Sequence, residues 1–159
     1  MAELEIRRRY PGPNASLIIP IAAAVGIAIK RLSTDPTQGA LADGDGFVGF
    51  LTRAVTADGP SLIDQAMAGQ LGRLELDAKI GDAVSLEKGD AVEAEGLTHL
   101  VASGSTGGIG LDATIGSELS FYDGKFRVAQ GGDTAFFNLA AILTPETAGQ
   151  VRILAEAIR

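Results

Sequence analysis

Residues 16–29, Ser-Leu-Ile-Ile-Pro-Ile-Ala-Ala-Ala-Val-Gly-Ile-Ala-Ile, form an apolar run that decides what kind of chain this is. The run reads as a membrane span, a processed leader, a core helix or a pair of buried strands. A bilayer-spanning helix needs about 20 apolar residues, more than this run supplies. Pro20 and Gly26 are poor helix-interior residues. Arg7-Arg8-Arg9 imitates the charged start of a leader. However, Tyr10-Pro11-Gly12-Pro13-Asn14 intervenes, and the run leads into Lys30-Arg31 instead of a small-residue cleavage site. Buried strands are therefore expected, at Ile18-Ile19 and Val25 to Ile29. Pro20 falls at an edge or bend, where a ladder can spare an N–H.

A chain of 159 residues is expected to form one domain. It can bury roughly two-thirds of its unfolded surface. With no Cys, disulfides and thiolate metal sites are excluded. The net charge is −7 and the isoelectric point near 4.6. Binding to nucleic acid or an anionic membrane requires a basic face, so neither is expected as a partner. The charge is uneven. Over residues 1–32, five basic residues against two acidic ones give +3, which leaves −10 on the remainder. We read residues 1–15 as an extended N-terminal arm and residues 16–159 as a single β-rich domain. A basic arm on an acidic body suggests docking on acidic protein. Gly is frequent, at 21 residues, and aromatics make up only 5%. This suits short strands joined by tight turns.

Turn signals divide the rest of the chain. Ser33 to Gly46 reads as a loop and Phe47 to Val55 as a strand, and Thr56-Ala57-Asp58-Gly59-Pro60 is a turn. Ser61 to Gln70 fits a helix, with Ser61 as N-cap and Asp64 at the third position, or equally a strand with a bulge at Gly69. Leu71 to Ala78 alternates as a half-buried strand. Gly-Asp-Ala-Val occurs at Gly81 to Val84 and again at Gly89 to Val92, each copy read as a turn feeding a strand. Leu97 to Ala102 and Leu111 to Phe121 read as strand material, with the Gly-rich loop Ser103 to Gly110 between them. Tyr122-Asp123-Gly124-Lys125 is a hairpin turn, since Asp-Gly is favoured at type I′ centres. Thr134 to Leu143 is a further strand. Residues 144–158 fit a helix, with Pro145 at its first position, or an alternating strand about equally well. The sum is a mainly β protein, a small Gly-rich β-barrel or sandwich with at most one or two short helices.

Catalytic signals are weak. His99 is the only histidine, and no Gly-x-Ser-x-Gly elbow is present. His99 is expected to be structural. Ser103 to Gly110 lacks the Gly-Lys-Ser/Thr of a phosphate loop. Asp43-Gly44-Asp45-Gly46 echoes a calcium loop without the bidentate Glu and reads as a turn. Asp82, Asp90, Glu93 and Glu95 read as a solvated acidic face. No catalytic residue, cofactor or metal is expected, and the chain is read as a non-enzyme.

Several stretches share their texture with one family. Ile21 to Arg31, Gly46 to Val55, Ile80 to Val84 and Ala148 to Leu154 together resemble the head decoration, or capsid cement, proteins of tailed bacteriophages. The likeness covers most of Ser16 to Leu154 and rests on spacing, with no diagnostic motif. It implies a structural protein on the outside of a phage capsid, with the major capsid protein and other copies of itself as partners, as a homotrimer. It also favours a strand at the C-terminus. Under it, Arg7, Arg8, Arg9 and Tyr10 of the arm contact the capsid or a neighbouring subunit, residue types enriched at interface hot spots. The competing expectations are a tail or fibre component and a small β-barrel module for a sugar or peptide. The scarcity of aromatics argues against a sugar platform.

Overall fold

The computed structural model describes residues 3–9, 14–59 and 77–158. In chain order the strands are β1 (Leu4–Arg9), β2 (Ser16–Ile18), β3 (Ala28–Arg31), β4 (Gly39–Leu41), β5 (Gly49–Leu51), β6 (Val55–Thr56) and β7 (Ala78–Lys79). They continue as β8 (Ala83–Glu87), β9 (Gly89–Glu95), β10 (Glu118–Tyr122), β11 (Lys125–Val128), β12 (Phe137–Leu143) and β13 (Arg152–Ala157). No helix occurs among the described residues, so none there is long and apolar enough to cross a membrane. The helix or bulged strand expected at Ser61 to Gln70 and the strand expected over residues 71–76 lie outside them.

Six strands form a large sheet in the order β1-β9-β13-β12-β10-β11, and five form a smaller one in the order β2-β8-β5-β3-β4. Neighbours within both sheets are antiparallel, whereas β6 and β7 make a parallel pair apart from them. The two sheets share a core. Val92, Ala94, Leu119, Phe121, Phe137 and Ile153 of the large sheet meet Ala28 and Phe50 of the smaller one. This is a sandwich in which strand alternation decides what each sheet gives to the middle. A second core lies on the other face of the smaller sheet, from Leu17, Ile29, Leu51, Val84 and Leu86. That sheet curls until Ile18 N–H bonds Thr37 C=O at 2.9 Å, but it does not close into a barrel.

The apolar run contributes two short strands, β2 and β3, at its ends, whereas residues 19–27, including Ile19 and Val25 to Ile27 of the expected strands, form the connection between them. Leu17, Ile19, Ile27, Ala28 and Ile29 are buried, whereas Val25 is exposed in the turn between β2 and β3. The Asp-Gly hairpin is present, with φ of +54° at Asp123 and +78° at Gly124, the left-handed pair a type I′ turn demands. Residues 152–157 are strand.

Other expectations are corrected. The loop read over residues 33–46 contains β4. Phe47 to Val55 is split into β5 and β6 by a bend at Thr52 and Arg53. Leu97 to Ala102 is not a strand. The chain turns at Gly96, whose carbonyl accepts from both His99 and Leu100 N–H, and Leu97 is 61% exposed. Likewise Leu111 to Ser117 is loop, closed by Ser117 Oγ donating to Thr114 C=O at 2.6 Å. The two Gly-Asp-Ala-Val copies diverge. The first is as expected, a turn at Gly81 and Asp82, where Asp82 accepts from Lys79 N–H at 3.0 Å, that feeds β8 from Ala83. The second lies wholly inside β9. Gly89 is needed there for close approach, since a Cβ would fall 2.7 Å from Ile6 Cγ2 on β1.

Candidate interaction surface

Strand β1 is one edge of the large sheet, paired only with β9. Leu4 and Ile6 pack against the shared core, which places Glu5 and Arg7 on the outer face by alternation. The register with β9 shifts twice, between Ile6 and Arg8 and between Arg8 and Arg9. Such irregularities twist an edge strand and blunt its pairing with foreign chains. The opposite edge, β11, is covered. Val101 N–H donates to Phe126 C=O and Val128 N–H to Gly107 C=O.

The three consecutive arginines part company here. Arg7 bonds Glu93 and pairs with Glu5 at 2.9 Å. Arg9 pairs with Glu87 of β8 at 2.6 Å. Arg8 is exposed and makes no ion pair among the described residues. Tyr10 lies outside the described residues. Two arginines of a segment expected to dock on a neighbouring subunit or another protein thus pair instead with acids of their own chain.

Behind Arg7 lies a charge cluster that the sequence reading missed. Arg152 of β13 is buried, with Nε 3.1 Å from Glu93, Nη1 3.4 Å from Glu95 and Nη2 3.2 Å from Glu5. Glu95 also accepts N–H bonds from Glu146 at 2.7 Å and Thr147 at 3.0 Å, which fixes the β12–β13 connection over the cluster. Reading Asp90, Glu93 and Glu95 as a solvated face is therefore overturned. Asp90 is 5% and Glu95 2% exposed, and Glu93 is enclosed by two guanidinium groups. Asp82 alone of the four is exposed. Arg7 and then Arg152 hold the Glu93 carboxyl below its ordinary value. At Glu95, burial acts to raise the pKa, but the Glu146 and Thr147 N–H groups and Arg152 outweigh it and leave the carboxyl below its ordinary value. The signal available in sequence was Arg152 itself, the one cation in an otherwise apolar and acidic strand.

The other residues singled out in the sequence are structural in their contacts. His99 is 4% exposed, its ring lying against Gly26. Its Nε2 is 3.8 Å from Glu3, beyond hydrogen-bond range, and burial pushes the imidazole below its ordinary pKa. In the Asp43 to Gly46 turn the Lys30 ammonium takes the place a cation would fill. It lies 3.1 Å from both Asp43 carboxylate oxygens and 2.9 Å from Asp45. Among the described residues no group of three or more His, Cys, Asp or Glu side chains is arranged to hold a metal ion.

The fold and surface define an all-β sandwich whose N-terminal strand is tied to its body by ion pairs. No protein-family model, curated protein or solved structure matches the chain.

Proposed function

We propose that this chain is a non-enzymatic structural protein of a phage virion, which binds the outer surface of the capsid and stabilises the shell as a homotrimer. Its partners in this reading are the major capsid protein and further copies of itself. The supporting observation is the open edge of the large sheet, where exposed Arg8 sits between two arginines already committed to the body. A strand fastened by its neighbours presents Arg8 in a defined place, and arginine is a frequent anchor at protein interfaces. The spacing likeness to head decoration proteins points the same way.

The test has two parts. Light scattering during size-exclusion chromatography should give the mass of a trimer. Co-sedimentation with expanded capsids of the phage encoding the chain should show saturable binding, weakened by Arg8→Glu. Arg8 pairs with Ala91 through the backbone and makes no ion pair among the described residues, so the variant should unfold at close to the parent's temperature. Full binding by Arg8→Glu would remove the edge from the reading, and no binding by the parent would sink the reading itself. Open-ended filaments would favour a tail component.

A further inference from the structure

We propose that the cleft beside Tyr122 binds an acidic saccharide. This is independent of the capsid reading. The cleft, of about 510 Å³, is lined by Ser105, Thr106, Tyr122, Asp123, Lys125 and Arg127, among others. One wall is the Gly-rich loop of residues 103–110. That loop is fastened along β11, with Val128 N–H donating to Gly107 C=O at 2.8 Å. A side chain at Gly107 would place its Cβ 2.8 Å from Val128 O and 3.1 Å from Arg127 Cδ, so glycine is what lets the wall lie this close. The other wall is the β10–β11 hairpin with its Asp-Gly turn.

Three features select the ligand. First, all six phenylalanines join one another in the core, whereas Tyr122 is 55% exposed. A pyranose has a face of C–H bonds that stacks on such a ring, and ligand sites combine apolar contact with a few placed polar groups. Second, Arg127 is held rigidly. Its Nε and Nη2 are 3.1 and 2.9 Å from Asp133, and its guanidinium lies 5.0 Å from the Tyr122 ring centre. Nη1 stays outside the Asp133 pair. Lys125 makes no ion pair among the described residues. A sugar carboxylate suits these two cations. Third, Asp123, Ser105 and Thr106 supply an acceptor and two hydroxyls for sugar hydroxyl groups. An acidic peptide or a free phosphate would use the cations but would leave the Tyr122 ring and the hydroxyl-binding groups idle.

The test is an amide-resolved NMR titration of the full chain with sodium glucuronate, methyl glucoside, sodium acetate and polyglutamate. Glucuronate should give saturable shifts confined to Ser105, Thr106, Tyr122, Lys125 and their neighbours. Affinity should fall roughly tenfold in Tyr122→Ala, and Lys125→Met should abolish the preference for glucuronate over methyl glucoside. Thermal unfolding checks both variants, and Lys125→Met, at a partly exposed position, carries the test if Tyr122→Ala is destabilised. Shifts that do not saturate, equal shifts with acetate, or tighter binding of polyglutamate would each overturn the proposal.

Discussion

Arg152 is the side chain on which the most buried charge depends. Burying a guanidinium is tolerable only because three carboxylates surround it. Removing it leaves Glu95 with only the two backbone N–H bonds of Glu146 and Thr147. Arg152→Met should therefore cost about 3 kcal/mol or more in urea unfolding, although methionine fills much of the space. Acid should act on the same cluster. The Glu93 and Glu95 carboxyls lie below their ordinary 4.5 in the fold, so their contribution is complete above about pH 4.5. It is lost as pH falls from there through the folded values, because the unfolded chain takes up protons first. His99 adds an earlier loss. Its folded pKa lies below 6.5, so stability declines from about that pH downward as the unfolded chain binds a proton that the buried ring refuses. Urea midpoints measured from neutral pH into acid should show this two-stage decline. His99→Gln should remove the first stage, and Glu95→Gln should flatten the second.

At the scale of elements, β1 is the edge strand of the large sheet, held on one side only, by β9. It has one neighbour, two register shifts and only Leu4 and Ile6 packed inward. Its ion pairs at Arg7 and Arg9 have exposed guanidinium groups, so salt weakens them. Native-state hydrogen exchange should show β1 amides opening at a lower free energy than those of β9 and β13, and the gap should widen at high salt. Equal protection of β1 and β13 would show that the edge is as firmly held as the centre. Legibility in the sequence follows the same physics. The Asp123-Gly124 hairpin was readable because a type I′ turn restricts its own two residues. The strand at Leu97 to Ala102 was misread because alternating apolar residues there serve a turn, with Leu100 buried and Leu97 exposed. Local pattern cannot tell a strand from an irregular segment lying along a sheet edge.

Across the whole molecule, the two sheets are joined by aromatic contact. Phe121 is fully buried, with ring centres of Phe47 and Phe126 each 4.7 Å away. It touches residues from three separate parts of the chain, none adjacent to it in sequence. Phe121→Ala should cost about 3–5 kcal/mol. If the sandwich is one cooperative unit, far-ultraviolet and near-ultraviolet circular dichroism should report the same unfolding midpoint in parent and variant. Separate midpoints would mean that the smaller sheet, with its own core of Leu17, Ile29 and Leu86, folds on its own.

By itself the sequence determined the class of fold, the presence of short strands rather than a helix in residues 16–31, the hairpin at Asp123-Gly124 and the net acidic charge. These follow from period, turn chemistry and composition, which are local or summed properties. Only the tertiary structure decided which charges are buried. Glu95 and Arg152 are 57 residues apart, and nothing in either stretch signals that β9 and β13 lie side by side. It likewise decided that Arg7 and Arg9 turn onto their own body while Arg8 does not, and that the Gly-rich loop and Tyr122 face one cleft. Each is set by strand order, and strand order is fixed by burying two cores at once, a condition no single segment carries.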